Sequence, residues 1–404
     1  MKPQLEVIKE RAQFYYPTVL ETRRHLHQYP ELSFKEVRTA EYIKKKLREA
    51  NIAFTFGHVG TGILALIRGK NPNKKTVLLR ADMDALPILE KNKVDYCSKV
   101  EGVMHACGHD VHSACALGAA LMLQDLRNEF EGSVKIMFQP SEEVLPGGAS
   151  LMIKEGALNN PKIDHAIALH VYPEMETGLV GFKPGMYMAS TDELYVTITG
   201  KGGHAAMPAA YNNPLLAGAA FLLKVQDTFM KEGALKGTAG ESIPTVVAFG
   251  KIEGLGATNV IPEKLELAGT FRTMDESWRS TVHQMLHDIA GELSAQYSLD
   301  VNLRIEKGYP FLVNDEAFTQ RCMQAAALLL GNDKVKELPL RMTAEDFAFI
   351  SQKVPSCFFR LGTGNKAKGI TSGVHTATFD IDENALLVGM EMLTWLAVSE
   401  LHAS

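Results

Sequence analysis

Several features that would assign this chain to a specialised class of protein are missing from its 404 residues. Cysteine is scarce: its five residues have no framework spacing, so a disulfide-stapled secreted domain is not expected. No apolar run approaches the ~20 residues that cross a bilayer, and the charged N-terminal stretch lacks the apolar segment of a signal peptide. We therefore expect a cytoplasmic protein without a membrane partner, in which a special cysteine is more naturally a ligand than half of a disulfide.

A surplus of charge of one sign is also lacking. The formal net charge is −5 and Lys and Arg are scattered, so no nucleic-acid partner is expected. What is present is the composition of an ordinary globular protein, with 46% hydrophobic residues to build substantial cores. A chain of this length predicts two or three domains.

Apolar runs alternate with helical stretches over most of the chain. This alternation predicts an α/β domain with a mostly parallel sheet flanked by helices. The predicted strands are residues 76–82, 133–140, 164–171 and 356–361. The predicted helices are residues 2–27, 35–50, 111–126, 148–155, 316–330, 344–350 and 384–401.

The pattern changes over residues 186–307, where the order becomes β-α-β-β-α-β. This order is typical of a ferredoxin-like α+β unit, which can be inserted into a host domain. Its predicted strands are 194–199, 245–252, 265–273 and 301–306, and its predicted helices are 213–229 and 276–297. We therefore predict a host domain made of residues 1–185 and 308–404, interrupted by a smaller domain of residues 186–307.

Side chains that can bind metal cluster near the ends of the predicted strands. The stretch HACGHDVH, residues 105–112, is the densest group, and Asp110 is a plausible N-cap of the helix that follows it. The candidates are Asp82, Asp84, Cys107, His109, Glu142, Glu143, His170 and His375. Because ligands bind at the carboxyl ends of strands in open α/β sheets, polar groups from four or more segments are expected to meet at one edge. This convergence predicts a site.

The residue types indicate the chemistry of that site. Thiolate and imidazole suit zinc and neighbouring transition metals, and carboxylates complete such sites. The chain has neither the CxxC pairs of a closed structural zinc site nor the PCxxC of the zinc deaminases, so a hydrolytic site is favoured. Of the neighbours Glu142 and Glu143, one needs to be a ligand and the other can act on a water molecule. His112 is open between supporting the ligands and simple packing, and Asp82 is open between the site and structural hydrogen bonding.

Six motifs closely resemble those of the amidohydrolase group of the co-catalytic metallopeptidases, which includes hippurate hydrolase and the auxin-conjugate hydrolases. The motifs are MHACGHDVH, QPSEE, ALHV, TGKGGHAAMP, ATNVIPEKLELAGTFR and VHTATFDIDE, and the similarity begins at RRHLHQYPELSFKE. The resemblance implies that one or two divalent ions (Zn, Mn, Co or Ni) are bound by Cys107, His109, Glu143, His170 and His375. It implies that Glu142 is the general base and that Asp84 supports the site. The wider superfamily has a histidine ligand where this chain has Asp82, and Cys107 with His109 would compensate.

The resemblance also implies that the inserted domain is a lid that mediates dimerisation. His204 would then reach a partner subunit's active site, and Asn259 and Arg272 would lie near the substrate. From spacing alone, the favoured interpretation of the same three residues is a turn histidine, a turn asparagine and a surface charge, and the resemblance reverses this preference. The predicted function is a homodimeric metal-dependent amidohydrolase that cleaves N-acyl amino acids. The alternatives are a dipeptidase or carboxypeptidase acting on unblocked peptides, and a catalytically silent scaffold.

Overall fold

The computed structural model describes residues 2–229 and 243–403. The chain divides into two compact units. The first consists of Met1–Tyr187, Val313–Leu340 and Asp346–Ser404, and the second of Met188–Leu312 and Arg341–Glu345.

The helices and strands follow in chain order. The first unit begins with α1 (Lys2–Gln28), α2 (Val37–Glu49), β1 (Ala53–His58), β2 (Gly62–Arg68), β3 (Thr76–Asp82), α3 (His109–Asp125), β4 (Ser133–Gln139), α4 (Gly148–Lys154), β5 (His165–Glu176), β6 (Val180–Phe182) and β7 (Gly185–Met188). The second unit contains β8 (Asp192–Thr199), β9 (Gly203–His204), α5 (Pro214–Phe229), β10 (Thr245–Glu253), β11 (Val260–Ile261), β12 (Lys264–Thr273), α6 (Glu276–Tyr297) and β13 (Asp300–Lys307). The chain then continues through β14 (Leu312–Asn314), α7 (Glu316–Leu330), β15 (Val335–Glu337), α8 (Ala348–Ser351), β16 (Ser356–Gly364) and α9 (Ala385–His402).

The first unit is built on an eight-stranded sheet with the order β1-β2-β4-β3-β5-β16-β6-β15. Its four central strands, β4, β3, β5 and β16, run parallel to one another, whereas β2 and β6 on either side of them are antiparallel to β4 and β16. Strands β1 and β2 form an antiparallel edge. Every residue of β3 and β4 is buried, as expected for strands covered on both faces. The predicted α/β class with a sheet flanked by helices is confirmed.

Helices α1, α3 and α9 meet in the core of this unit. A Cβ atom at Gly118 of α3 would lie 2.7 Å from Cγ2 of Val19 in α1 and 3.1 Å from Cβ of Met390 in α9, so this position allows the three helices to approach closely. Among the described residues, α9 is the helix whose length and composition would allow it to cross a membrane, but 78% of that stretch is buried inside the protein. Such burial is what a core helix requires.

The second unit contains a four-stranded antiparallel sheet with the order β10-β12-β8-β13. Helices α5 and α6 pack against it through a separate apolar core that includes Leu194, Phe221, Leu267 and Leu286. Helix α6 begins at a capping residue, since the Asp275 side chain accepts a hydrogen bond from the Trp278 amide. The order β8-α5-β10-β12-α6-β13 confirms the predicted ferredoxin-like pattern.

Three local predictions need correction. The helix predicted at 344–350 is wrong, because the Asp346 carboxylate accepts from the Ala149 amide and the Gln139 side chain, and α8 begins only at Ala348. Strand β5 continues beyond residue 171 to Glu176, and Pro173 falls where the pairing with β16 loses its regular register. Strands β1 and β2 were not predicted: β1 is largely exposed, whereas β2, GILALIR, is a mostly buried apolar run that the sequence analysis did not assign.

Candidate metal centre

Asp84 organises the centre from just beyond the end of β3. Its Oδ1 accepts from His109 Nδ1 at 3.2 Å and from the Glu142 amide at 3.0 Å. Its Oδ2 accepts from the Glu143 amide at 3.0 Å and from Ser33 Oγ at 2.6 Å. Burial would raise the pKa of Asp84, but these donors, His109 first among them, lower it. A single ionised carboxylate therefore holds the His109 ring and the turn that carries both glutamates.

His109 directs a free ring nitrogen into the centre. Because Nδ1 donates to Asp84, the atom available to a cation is Nε2, which is buried without a hydrogen-bond partner among the described residues. This atom lies 3.9 Å from Glu142 Oε2 and 3.8 Å from Glu143 Oε1. Glu143 Oε1 is likewise buried without a hydrogen-bond partner within the described ranges. Buried polar atoms in this state are costly unless something binds them, so the pair fits a cation.

Cys107 lies close to both of the remaining ligand candidates, His170 and His375. Its Sγ lies 3.5 Å from His170 Nε2 and 3.3 Å from His375 Nε2. His375 Nε2 in turn lies 3.4 Å from Glu143 Oε1. The possible ligand atoms fall into overlapping triplets within 4.8 Å of one another, namely Cys107–His109–His170, Cys107–Glu143–His375 and His109–Glu142–Glu143. The structure thus brings the five predicted ligands and the predicted base into one cluster of soft and hard donors suited to zinc, manganese, cobalt or nickel.

The pKa values of this cluster are strongly perturbed. Burial raises the pKa of the Cys107 thiol, and a hydrogen bond with Cys107 raises the pKa of His375 to about 10. Burial lowers the pKa of His170 well below its usual value, so that its Nε2 stays unprotonated. Burial opposes charge on His109 as well, but Asp82 and Cys107 raise its pKa well above the usual value. A divalent cation would displace the protons on Cys107, His109 and His375.

Gly108 determines the backbone path between two ligand candidates. It has φ 82° at the N-cap of α3, and a Cβ atom there would lie 2.7 Å from Cγ2 of Val171. Asp110 is inside the first turn of α3 and does not cap it, so that prediction is wrong. Its carboxylate instead accepts hydrogen bonds from Arg23 Nε at 3.0 Å and from His27 Nδ1 at 2.8 Å. A hydrogen bond from a buried, charged guanidinium is stronger than one from a backbone amide.

Glu36 supports the turn before the two glutamates, and sequence analysis gave it no role. Its Oε1 accepts from the Ser141 amide at 2.8 Å and from the Phe34 amide at 3.0 Å, and its Oε2 accepts from Thr61 Oγ1 at 2.9 Å. Ser141 and Phe34 have φ values of 51° and 63°, which residues other than glycine rarely adopt. The signal that pointed here was the resemblance at PELSFKE, which contains Ser33 and Glu36.

Both carboxylate oxygens of Asp82 and both ring nitrogens of His112 take part in hydrogen bonds. Asp82 accepts from His112 Nδ1 at 2.6 Å and from Arg80 Nη1 at 2.5 Å. His112 Nε2 accepts from the Val171 amide at 3.0 Å. The His112 ring has no lone pair left for a metal, so His112 is not a ligand, and each carboxylate oxygen of Asp82 accepts a hydrogen bond, which favours the structural alternative for this residue.

The remaining predicted site residues lie in the second unit. His204 is exposed on β9, paired with Val260 of β11, and the carbonyl of exposed Asn259 accepts from the Ala205 amide. These two residues are therefore neighbours. Arg272 of β12 is half-buried and has no hydrogen-bond or ion-pair partner among the described residues, and burial lowers its pKa.

The parallel sheet and its cluster of Cys, His and Glu donors define a metallohydrolase, and comparison with known proteins identifies the family. Residues 78–398 match peptidase family M20/M25/M40, and the chain belongs to this family. It is 38% identical over 367 residues to the N-acetyl-L-cysteine deacetylase of Bacillus subtilis, covering 90% of this chain and 84% of the relative. It is 34% identical over 388 residues to thermostable carboxypeptidase 1 of Saccharolobus solfataricus, covering 94% of each chain.

A solved structure agrees with this membership. The crystal structure of the Bacillus subtilis YXEP protein, described as a dinuclear metal binding peptidase from the M20 family, has a TM-score of 0.81 and 31% identity and covers 97% of this chain and 100% of that one. The resemblance inferred from six motifs is therefore confirmed. The protein is a metal-dependent hydrolase that acts on carbon–nitrogen bonds.

Proposed function

We propose that this hydrolase cleaves the amide bond of N-acyl amino acids, with one or two divalent ions held by Cys107, His109, Glu143, His170 and His375. The observation that carries the proposal is the pair of neighbouring glutamates in one donor cluster. Glu143 Oε1 lies 3.4 Å from His375 Nε2 and 3.8 Å from His109 Nε2, and Glu142 Oε2 lies 3.9 Å from His109 Nε2. Because Glu143 faces two ligand candidates, we assign metal binding to Glu143 and proton transfer to Glu142.

The ions supply Lewis acidity, which polarises the amide carbonyl and makes a water molecule easier to deprotonate. Glu142 takes a proton from the attacking water and then delivers it to the leaving nitrogen. Asp84 keeps this base in place, because it accepts hydrogen bonds from the backbone amides of both Glu142 and Glu143. The products are a carboxylic acid and a free amine, so that atoms and charge balance.

Arg272 is evidence for a substrate whose amino-acid part carries a free carboxylate. A half-buried guanidinium without a partner in the described chain is costly, and a planar guanidinium can bind a carboxylate through two parallel hydrogen bonds. Asn259 would contact the same substrate, and His204 would donate to the oxyanion of the tetrahedral intermediate. These three roles rest on the family resemblance.

A carboxypeptidase acting on unblocked peptides is the second candidate. The observation that favours it is the 34% identity to a carboxypeptidase over nearly the full length of both chains. A carboxylate-binding Arg272 would suit the C-terminus of a peptide equally well. The 38% identity to a deacetylase leads us to place N-acyl amino acids first.

The second unit is proposed to act as a lid and to form the dimer. Among the residues that the structure describes, strand β10 lies at the edge of its sheet, and the backbone groups on its outer side are available for pairing. The second unit also has exposed apolar side chains. The exposed fraction is 59% for Ile252, 84% for Leu255 and 68% for Leu223 of α5. A second copy of the chain would cover them. We further propose a cytoplasmic location, where a reducing environment keeps the Cys107 thiol available as a ligand.

The test compares hydrolysis of N-acetyl amino acids, N-benzoyl amino acids and dipeptides by chelator-treated protein and by protein reloaded with Zn²⁺, Mn²⁺, Co²⁺ or Ni²⁺. Activity should vanish without metal and return with at least one ion, and kcat/KM should be highest for an N-acyl amino acid. The same substrates with an amidated carboxylate serve as controls and should be poor. Full activity in metal-free protein, or a preference for dipeptides, would contradict the proposal.

A further inference from the structure

The tautomer of His170 is determined by its own backbone. His170 Nδ1 lies 2.8 Å from the carbonyl oxygen of Val171. A carbonyl oxygen can only accept, so Nδ1 carries the proton and Nε2 keeps its lone pair. This Nε2 is the atom that lies 3.5 Å from Cys107 Sγ. The direction of the Val171 carbonyl therefore decides whether His170 can act as a ligand.

The backbone of Val171 is itself held by a side chain, through the N–H group, which lies in the peptide plane before the one that carries the carbonyl. Pairing between β3 and β5 ends at Arg80 and Ala168, so the Val171 amide lies beyond the end of that ladder. The acceptor that this buried amide finds is His112 Nε2, at 3.0 Å. Since Nε2 accepts, the proton of His112 must be on Nδ1, which donates to Asp82 Oδ1 at 2.6 Å.

Asp82 completes the chain of hydrogen bonds and is anchored from two sides. Arg80 Nη1 donates to its other carboxylate oxygen, and Ser113 Oγ donates to its backbone carbonyl at 2.7 Å. Both Asp82 and His112 are fully buried. An ionised carboxylate only accepts, so Asp82 requires a proton on His112 Nδ1, whereas a neutral histidine at that position could accept or donate.

We propose that Asp82 and His112 form a positioning pair for the metal ligand His170: together they hold the backbone of Val171 through its N–H group, and the Val171 carbonyl, in the next peptide plane, accepts from His170 Nδ1 and leaves Nε2 free. The inference rests on the proposed function, because it takes His170 as a ligand. The wider superfamily has a histidine ligand at position 82. In this chain Asp82 would instead act on the metal site indirectly, through His112 and Val171. Such outer partners typically change metal affinity about 10- to 100-fold when they are lost.

The first test needs no variant. In metal-free protein with ¹⁵N-labelled histidine, long-range ¹H–¹⁵N spectra should show His112 and His170 as the tautomers protonated at Nδ1. An Nε2-protonated form of either ring would overturn the proposal. This measurement also holds if a substitution at residue 112 prevents folding.

The second test separates the two hydrogen bonds of His112. In His112→Gln the side-chain oxygen can still accept from the Val171 amide, whereas in His112→Asn the amide group reaches Asp82 but not Val171. We expect His112→Asn to weaken Zn²⁺ binding ~10- to 100-fold, measured by competition with a chromophoric chelator, and to alter the visible spectrum of Co²⁺-loaded protein. His112→Gln, which keeps the bond to Val171 but loses the one to Asp82, should weaken Zn²⁺ binding less than His112→Asn does.

A matched control is His165→Gln, which removes an imidazole from the other end of the same strand, where the ring faces Glu400. It should leave the Zn²⁺ dissociation constant unchanged. Equal Zn²⁺ affinity in the Asn and Gln variants, whether both are strong or both weak, would overturn the proposal. Failure of the proposed function would instead appear as no hydrolysis by metal-loaded wild-type protein, and would leave the order of these dissociation constants intact.

Discussion

At the scale of single residues, Glu142 and Glu143 are neighbours with different expected tasks. Glu142→Gln should retain the metal and lower kcat by at least the ~10²-fold typical of a lost acid–base group. Glu143→Gln should lose metal, because Oε1 of Glu143 faces both His109 and His375. The measurements are kcat and the metal content of each purified variant. Equal loss of metal in both variants would contradict this division of labour.

Glu36 provides a second prediction, on the pH dependence of stability. Burial raises the pKa of Glu36 to about 7, above its ordinary value of 4.5. The protonated form is therefore favoured by folding, and its contribution is complete below pH 4.5 and lost as the pH rises through 7. Glu36→Gln stays neutral, so its thermal midpoint should rise relative to the wild type between pH 5 and 8. The upper limit is about 3 kcal/mol, at ~1.4 kcal/mol per pKa unit.

The exposed Glu49→Gln at the end of α2 is the control, since it removes a carboxylate from solvent. Its difference from the wild type should not change over the same pH range. If the difference between Glu36→Gln and the wild type is also constant from pH 5 to 8, the buried carboxyl does not titrate in this window.

The ligand candidates could be found from sequence because each is a strong donor type placed beside a predicted strand or helix. The hydrogen-bonded partners could not be assigned in the same way. Whether His112 packs, supports or ligates depends on the direction of its ring, and that direction is set by the Val171 amide on another strand. The role of Glu36 depends equally on a long-range contact, with Ser141.

At the scale of elements, Arg23 links α1 to α3 and to the segment before α9. Its guanidinium is fully buried and binds Asp110 at 3.0 Å and Asp380 at 2.9 Å. Removing one partner of a buried ionic cluster leaves uncompensated charge, so Arg23→Met should destabilise the first unit by about 3–5 kcal/mol. Thermal and urea unfolding of the variant measure this loss.

The adjacent Arg24 is a matched control because it also pairs with a carboxylate, Glu383, at 2.6 Å, but its side chain is 44% exposed. Arg24→Met should cost no more than ~1 kcal/mol, as for other surface pairs. Similar losses in the two variants would show that burial of Arg23 does not govern its contribution.

Element positions were predictable where apolar periodicity is strong. The predicted strand at 76–82 and the helices at 276–297 and 316–330 coincide with β3, α6 and α7. Predictions failed where a tertiary contact decides the local structure. In the sequence, nothing distinguishes Asp346 from an ordinary helical residue. Its buried carboxylate, however, accepts hydrogen bonds from the Ala149 amide and the Gln139 side chain, which hold the chain in a turn before α8. The continuation of β5 through Pro173 depends similarly on its neighbour β16.

At the scale of the whole molecule, the last prediction concerns assembly. If His204 acts in a partner subunit's active site, a Glu142→Gln subunit still supplies a working His204, and a His204→Ala subunit still supplies a working base. Each variant alone should be nearly inactive. In a mixed dimer, one of the two active sites would contain both intact groups, while the other would lack both.

Mixing the two variants under conditions that exchange subunits should therefore restore activity. With equal inputs and random exchange, half of the dimers are mixed and carry one intact site each, so about one quarter of the wild-type activity per site is expected. Two different affinity tags allow mixed dimers to be isolated and verified before assay. No recovery in verified mixed dimers would place His204 outside the partner's site. Full activity of His204→Ala alone would show that His204 has no role in catalysis. The residue would then be the exposed turn histidine beside β11 that its spacing in the sequence predicts.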